Sequence, residues 1–347
     1  MITEPLTLDE TYPNEGTIHV PPFTIPYSSL ASPEAKAAFS EQVRRMQAMS
    51  LNGPSKFDFS NLDMTAIRSA VEDSIGSILA NLEALYHVTV AHKVIGGVSV
   101  DSFSPRDGVS PKNKKRILIN LHGGGFIAGG QAQRAAESAP IAAIGNIEVL
   151  SVDYRLGPEN KFPAASEDVA AVYEELLSDY EPREIGIYGS SAGGLLTAEV
   201  MGWFDRQGLP RPGAIGVLCA SVGPLSVGDS NYLAPHLSGS SPSGFPEGGF
   251  GPMGLYFGDA DPKDIMVYPS NSPSLLASFP PTLLLTGTRS MELSGATKSH
   301  IQLVRLGVDA ELYVWDGMWH GFFVDPTLPE AREACEMIVD FFNRRLG

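Results

Sequence analysis

Residues 185–204 read IGIYGSSAGGLLTAEVMGWF, so that an apolar run, a Gly-Ser turn and a helical pattern follow one another directly. The apolar run predicts a short buried strand, and the helix formers from Ala192 onward predict a helix. The turn carries the pattern Gly-x-Ser-x-Gly around Ser191, typical of a strained turn that exposes a serine hydroxyl at a sheet edge. Such a pattern also arises by chance in Gly-Ser-rich turns, but its place between a strand and a helix favours a nucleophile.

Apolar runs of the same kind lie on both sides of this segment. The predicted strands cover residues 88–90, 98–103, 116–121, 148–152, 185–188, 214–219, 282–285 and 310–314. Helical patterns cover residues 164–177, 192–204, 294–306 and 329–345. Strands that alternate with helices predict an α/β protein, with a mainly parallel sheet covered by helices on both faces.

Two further regions predict a cap over this sheet. Residues 33–49 and 64–85 are amphipathic helical patterns that precede every predicted strand. Residues 224–279 are rich in Gly, Pro and Ser, and a long irregular segment inside a compact domain is usually functional. We therefore predict that residues 1–85 form the N-terminal part of a cap. Residues 86–347 then form the catalytic domain, within which 224–279 is the second cap segment.

Composition narrows the class of protein. Of the 347 residues, 43% are hydrophobic and 18% charged, which allows a sizeable core. The formal net charge of -16 repels phosphate backbones and predicts no nucleic-acid partner.

The N-terminus lacks a signal-peptide pattern and no apolar run has transmembrane length, so we expect a cytoplasmic protein without membrane contact. The two cysteines, Cys219 and Cys335, make no disulfide framework. The oligomeric state stays open, with a homodimer as one option.

A run of three glycines follows the strand predicted at 116–121, in His122-Gly123-Gly124-Gly125-Phe126. Such a run exposes backbone N–H groups and lets a ligand approach closely, as an oxyanion hole requires. The expected donors are the amides of Gly124, Gly125 and Ala192. The alternatives are a flexible glycine loop and a phosphate-binding loop, although no Gly-Lys-Ser/Thr follows.

His320 lies just beyond the last predicted strand, in Trp319-His320-Gly321-Phe322-Phe323. A histidine in that loop can take the proton of Ser191 and later return it to a leaving group. The other histidines lack such a setting, and none of them pair at metal-ligand spacing, so we predict no metal.

These elements together resemble the hormone-sensitive lipase-like (bacterial family IV) branch of the α/β-hydrolases. The resemblance rests on HGGGF at 122–126, GSSAGG at 189–194 and HGFF at 320–323, with the segment from Asp153 to Asp168 between the first two. It implies an α/β-hydrolase fold with a helical cap. It also implies an oxyanion hole made by the amides of Gly124, Gly125 and Ala192. The family usually has alanine at the position of Gly157.

Two departures concern aspartates of the family. The residue before the nucleophile is commonly Asp, and here it is Ser190. The catalytic Asp is expected where this chain has Ser290, which cannot stabilise an imidazolium as a carboxylate does. Glu292, two residues on, has the required charge and a longer reach, although an acidic residue at a helix start has a purely structural explanation too. Asp316, Asp264 or a site without an acid remain alternatives.

The combination predicts a carboxylic ester hydrolase with Ser191 as nucleophile, His320 as base and Glu292 as acid, working through an acyl-enzyme and without a cofactor. By the resemblance, the substrate is a small ester with a short to medium acyl chain. An amidase or lactonase could use the same site. A third alternative is a ligand-binding protein that has lost catalysis on a hydrolase scaffold.

Overall fold

The computed structural model describes residues 7–8, 16–20, 22, 24–52, 63–238 and 248–347. Within these residues the α-helices are α1 (Pro33–Asn52), α2 (Met64–Leu85), α3 (Gln131–Gly145), α4 (Ala164–Leu176), α5 (Ala192–Gln207), α6 (Asp229–Leu237), α7 (Gly254–Phe257), α8 (Pro273–Ala277), α9 (Leu293–Arg305) and α10 (Pro329–Arg345). The strands are β1 (Thr7–Leu8), β2 (Ile18–His19), β3 (Val88–Ile95), β4 (Val98–Pro105), β5 (Ile117–Leu121), β6 (Glu148–Val152), β7 (Ile185–Ser190), β8 (Ala214–Leu218), β9 (Thr282–Gly287) and β10 (Ala310–Trp315).

Eight of these strands form one sheet in the order β10-β9-β8-β7-β5-β6-β4-β3. Every neighbouring pair from β10 to β6 is parallel, whereas β4 is antiparallel to both β6 and β3. The carboxyl ends of β5, β7, β9 and β10 therefore share one edge of the sheet, where open α/β sheets bind ligands. The predicted α/β-hydrolase architecture is confirmed.

Helices cover the sheet on both faces, because its central strands are apolar in almost every residue. All side chains of β5, β7, β8 and β9 are buried. One core packs against α4 and α5, with Tyr173 and Leu196 among its members. The other packs against α3 and α10, with Ile141 and Phe342 among its members. Strands that are buried on two sides lose alternation and read as continuous apolar runs, which is why the sequence located them.

The sequence pattern missed α3 altogether. This helix carries Pro140 in its interior, and its buried residues include Arg134, Glu137 and Ser138 beside several alanines. A buried face with charged and small residues has no apolar stripe, so periodicity does not reveal it. The irregular reading of 224–279 was also incomplete, because α6, α7 and α8 lie within it, each short and two of them containing proline.

The two N-terminal helices dock on different parts of the sheet domain. Helix α2 packs along α3, and its Arg68 donates hydrogen bonds to the carbonyl oxygens of Ile127 and Gly157, both at 2.8 Å. Helix α1 is preceded by Ser32, whose hydroxyl accepts from the amide of Ala35 and donates to Glu330 of α10. No helix in the described ranges is both long and apolar enough to cross a membrane.

Gly157 marks a close approach between two backbone segments. A Cβ atom added at this position would lie 2.8 Å from the Cα atom of Tyr256 and 2.9 Å from the carbonyl oxygen of Leu255. The adjoining segments are joined by a hydrogen bond from the Phe162 amide to the Tyr256 carbonyl. This contact explains why the chain has glycine where the resembling family usually has alanine.

We expect Gly157→Ala to lower the free energy of unfolding by about 1–3 kcal/mol, the usual effect of overfilling a packed contact. The backbone of Tyr256 has no flexible end that could move away. Urea unfolding followed by circular dichroism measures the change. The matched control is Gly254→Ala, where the nearest atom would lie 3.8 Å away, an ordinary contact. Equal stability of the two variants would contradict the close approach.

Candidate active site

Ser191 occupies a sharp turn between β7 and α5, with φ 54° and ψ −117°. Its amide donates to the carbonyl oxygen of Leu218 at 2.9 Å. Neither flanking glycine has room for a side chain: a Cβ atom at Gly193 would lie 1.8 Å from the carbonyl oxygen of Leu121, and one at Gly189 would lie 2.4 Å from it. Backbone strain of this kind clusters at functional sites, where the surrounding packing maintains it.

Three side chains from three loops form a hydrogen-bonded chain at the carboxyl edge of the sheet. His320 follows β10, and its Nε2 lies 2.9 Å from Ser191 Oγ. Its Nδ1 lies 2.9 Å from Oε2 of Glu292, which follows β9. Because an ionised carboxylate only accepts, Nδ1–H donates to Glu292 and leaves Nε2 free to accept from the serine hydroxyl. The His320 side chain is 33% exposed, so a substrate can reach it.

Glu292 is fully buried and held by several donors. Its Oε1 accepts from the hydroxyls of Ser290 at 2.5 Å and Thr286 at 3.0 Å. Burial raises the pKa of Glu292, but the charge and hydrogen bond of His320 and the bond from Ser290 outweigh it, so the pKa is lowered. Ser290, at the family's usual aspartate position, therefore supports the carboxylate that lies two residues further on.

The other carboxylates that the sequence left open lie elsewhere. Asp316 is exposed and accepts hydrogen bonds from the hydroxyls of Ser28 and Thr288. Asp264 accepts from the backbone amide of Met266 within its own turn. Among the candidate acids, the structure thus brings Glu292 to His320.

The carboxylates near His320 stabilise the charged form of its imidazole. Burial lowers the pKa of this imidazole, but the charge and hydrogen bond of Glu292 raise it by more, and the charge of Glu137 adds to the increase. The net pKa lies above that of an ordinary histidine. The neutral imidazole can therefore take the proton of Ser191 at Nε2, and Glu292 stabilises the imidazolium that forms.

The glycine loop after β5 lies against the turn of Ser191, since a Cβ atom at Gly123 would lie 2.9 Å from Ser190 Oγ. Gly124 and Gly125 have positive φ angles of 119° and 65°, and a Cβ atom at Gly124 would lie 2.2 Å from the carbonyl oxygen of Ala128. Among the described residues, no backbone carbonyl accepts a hydrogen bond from the amides of Gly124, Gly125 and Ala192. Ala192 is the first residue of α5, where amides lack helical partners and the helix dipole favours negative charge.

The His122 side chain packs against the backbone of this glycine loop. It is fully buried, Nδ1–H donates to the carbonyl oxygen of Gly123 at 2.7 Å, and the Tyr154 hydroxyl donates to the His122 carbonyl at 2.6 Å. The two rings stack with centroids 4.3 Å apart. Burial lowers the pKa of His122 to about 4. It is therefore a neutral structural residue at neutral pH.

Arg289 makes contacts with the N-terminal segment that the sequence did not reveal. Its guanidinium donates to the carbonyl oxygens of Leu237 at 2.8 Å and Pro26 at 3.3 Å. It lies over the rings of Tyr27 and Phe39, 4.6 and 4.9 Å from their centroids. The N-terminal segment thereby contacts the loop that carries Glu292. Its partners are distant in sequence, so no local signal could have identified it.

Glu137 is a second residue that sequence patterns missed, and it contacts both the glycine loop and the turn of Ser191. Its carboxylate accepts from the amide of Gly123 and from the hydroxyl of Ser190. It stands in the helix that the pattern did not predict, among alanines, so neither a motif nor periodicity could have identified it.

Comparisons with known proteins match the fold described above. A family model described as alpha/beta hydrolase fold matches residues 118–324. LipR of Mycobacterium tuberculosis, provisionally named an acetyl-hydrolase, is 30% identical over 244 residues, which are 69% of this chain and 75% of that protein. The crystal structure of esterase E25 superposes with a TM-score of 0.78 at 30% identity, covering 95% of this chain and 99% of that one. An esterase of the bacterial hormone-sensitive lipase family superposes with a TM-score of 0.77 at 27% identity, covering 91% and 99%.

We expect Glu292→Gln to move the acid limb of the kcat/KM profile to lower pH. The base form of His320 must be neutral, so kcat/KM falls as the pH drops through its pKa. Glu292 raises that pKa. An uncharged glutamine raises it less, so the midpoint moves down while the maximum rate also falls. Initial rates between pH 4 and 9 measure both effects.

The control for this profile is Asp316→Asn, which removes a carboxylate in the loop of His320 that bonds to Thr288 instead of the imidazole. It should leave the midpoint in place. A midpoint that moves with Asp316→Asn and stays with Glu292→Gln would reverse the assignment of the acid.

Proposed function

We propose that this chain, which belongs to the hormone-sensitive lipase-like branch of the α/β-hydrolase family, cleaves its ester substrates through an acyl-enzyme on Ser191. The chain is an esterase, as its relatives are named and as the family of its structural neighbours indicates. The observation that carries the proposed mechanism is the continuous hydrogen-bonded chain from Ser191 through His320 to Glu292, with 2.9 Å at each step.

The first half of the reaction forms the acyl-enzyme. Ser191 Oγ attacks the ester carbonyl while His320 Nε2 takes the hydroxyl proton. The carbonyl oxygen becomes an oxyanion, which the amides of Gly124, Gly125 and Ala192 stabilise by donating hydrogen bonds. His320 then returns the proton to the leaving alcohol as the tetrahedral intermediate collapses, so that a serine ester remains.

The second half reverses these roles. A water molecule loses a proton to His320 and attacks the acyl carbon, and the same amides stabilise the second oxyanion. The carboxylic acid leaves and Ser191 regains its proton. In both halves Glu292 holds the imidazole in one tautomer and stabilises its charged form without taking the proton itself. Its complete burial supports this role, because an electrostatic interaction away from water is stronger.

The substrates are proposed to be esters with short to medium acyl chains. Arg68 ties α2 to the carbonyl of Ile127, immediately after the glycine loop, so the N-terminal region lies close to the reacting centre. Residues 1–85 and 224–279 are proposed as the two parts of a cap that limits the space for the acyl group. The names of LipR and of a Streptomyces hygroscopicus relative, both acetyl-hydrolases, support the same size range.

Two alternatives use the same scaffold. An amidase or lactonase would share the nucleophile, base and oxyanion donors and differ in how the pocket fits the leaving group. A ligand-binding protein would have no need of an intact proton path. Here the serine, histidine and carboxylate are in hydrogen-bonding positions, which favours a hydrolase over a ligand-binding protein.

We expect Ser191→Ala to reduce kcat by about a million-fold, the loss typical of a missing nucleophile in a triad. The strained turn should survive, because alanine fills the same space. Hydrolysis of p-nitrophenyl acetate measures the rate, and a fluorophosphonate reagent should label Ser191 in the unaltered protein. Activity within about tenfold of the unaltered protein, or a label on Ser190, would refute the assignment.

We expect kcat/KM to fall for p-nitrophenyl esters whose acyl chain exceeds about eight carbons, because a capped site closes over a limited volume. A series from acetate to palmitate measures the dependence. The control is a variant that lacks residues 1–85 and still folds; it should accept longer chains relative to acetate. Faster turnover of long-chain emulsified triglycerides by the complete chain would show that no cap limits the pocket.

A further inference from the structure

A buried carboxylate lies directly behind the two loops that carry the proposed nucleophile and oxyanion donors. Glu137 of α3 is 1% exposed. Its Oε1 accepts hydrogen bonds from the amide of Gly123 at 2.9 Å, from Ser190 Oγ at 2.8 Å and from Gln133 Nε2 at 2.5 Å. Its Oε2 accepts from Asn120 Nδ2 at 3.2 Å. Each of these donors is neutral, so the carboxylate is held by hydrogen bonds and has no ion-pair partner among them.

One oxygen atom of this carboxylate joins the two loops. Gly123 immediately precedes the proposed donors Gly124 and Gly125, and Ser190 immediately precedes Ser191. We propose that Glu137 is a positioning residue, which sets the distance between the oxyanion donors and the nucleophile by holding Gly123 and Ser190 on one oxygen. This inference rests on the proposed function of these loops.

The spacing around Gly123 supports this role. A Cβ atom at Gly123 would lie 2.9 Å from Ser190 Oγ and 3.4 Å from Glu137 Oε1. The glycine is therefore needed because the carboxylate and the serine approach its backbone closely. The amide of Gly123 is used by Glu137, which leaves the next two amides of the loop for the substrate.

The identity of residue 190 follows from the same contact. The resembling family commonly has aspartate before the nucleophile, whereas this chain has Ser190, whose hydroxyl donates to Glu137. The carboxylate at this place comes from α3. An aspartate at position 190 would put a second carboxylate within hydrogen-bonding distance of the first, and two buried like charges repel strongly.

The charge of Glu137 also reaches the base. It raises the pKa of His320, alongside the larger effect of Glu292. Burial raises the pKa of Glu137 by more than the hydrogen bonds from Gly123, Gln133, Ser190 and Asn120 lower it, so the net pKa lies above that of an ordinary glutamate. The donors that fix its position therefore offset part of the effect of burial on its charged form.

The first test is Glu137→Gln in the complete chain with p-nitrophenyl acetate. The amide keeps the size of the side chain but presents donors where Asn120 also donates, so the loops shift. We expect kcat to fall at least about tenfold with KM within about twofold, because oxyanion donors act mainly in the transition state. Binding of a trifluoromethyl ketone, which forms a tetrahedral adduct with Ser191, should weaken in proportion to kcat/KM.

The matched control is Glu199→Gln. Glu199 of α5 is also fully buried, and in the described part of the chain neither of its carboxyl oxygens has a hydrogen-bond partner. The Glu199 carboxyl group makes no hydrogen bond to the loop of Gly123 or to the turn of Ser190. The same substitution at this position should therefore leave kcat and inhibitor binding near those of the unaltered protein. Equal losses in the two variants would show a general effect of burying an amide and would overturn the inference.

The second test exchanges the carboxylate between the two positions. Ser190→Asp alone should lose at least about tenfold in kcat because it opposes Glu137. Combined with Glu137→Gln, the aspartate restores one carboxylate at the same place, and kcat should recover at least about tenfold over the weaker single variant. Additive losses in the double variant would overturn the inference. If Glu137→Gln alone is too unstable to assay, the comparison of Ser190→Asp with the double variant still tests the inference.

These outcomes are separable from those that test the proposed function. If Ser191→Ala retains activity, the assignment of the site fails, whatever Glu137 does. If Ser191→Ala is inactive while Glu137→Gln keeps its kcat and its affinity for the ketone, only the inference about Glu137 is overturned. Circular dichroism and thermal unfolding of each variant distinguish a shifted loop from an unfolded chain.

Discussion

The first turn of α5 lies so close to the end of β5 that Gly193 has no space for a Cβ atom beside the carbonyl oxygen of Leu121. This contact holds the chain in the strained conformation of Ser191, since a helix placed further away would allow a relaxed turn. It also brings the glycine loop after β5 next to Ser191, the proposed nucleophile. The order of strands in the sheet is what makes the contact possible, because β5 and β7 are direct neighbours. The remaining features of the site depend on this geometry.

Two buried glutamates form the electrostatic frame of the site. Each accepts a hydrogen bond from a serine that stands where the resembling family has aspartate, Ser190 with Glu137 and Ser290 with Glu292. A buried carboxylate needs donors to offset the loss of water, and a serine hydroxyl is a small neutral one. Both carboxylates raise the pKa of His320. Where the family has aspartate, this chain therefore has serine at both positions. At Ser290 the carboxylate comes from Glu292, two residues further on, and at Ser190 it comes from Glu137 of α3.

The N-terminal region is attached to the sheet domain through arginine side chains that bond to backbone carbonyls. Arg68 of α2 bonds to Ile127, next to the glycine loop, and Arg289 bonds to Pro26, next to the acid loop. Carbonyl groups in loops lack the partners that a helix or sheet provides, and a guanidinium satisfies several of them at once. These hydrogen bonds join the proposed cap directly to the proposed catalytic loops.

The sequence by itself determined the alternation of strands and helices, the turn around Ser191, the glycine loop and the loop of His320. These features are local: each depends on residues within one strand, one turn and one helix, and their patterns are readable at that range. It did not reveal α3, because its buried face is made of alanine and polar residues. It left the acid open among Glu292, Asp316 and Asp264. Only the tertiary structure placed Glu292 beside His320 and Glu137 between Gly123 and Ser190. Distances between segments far apart in the chain follow from how the whole sheet packs, which no local pattern contains.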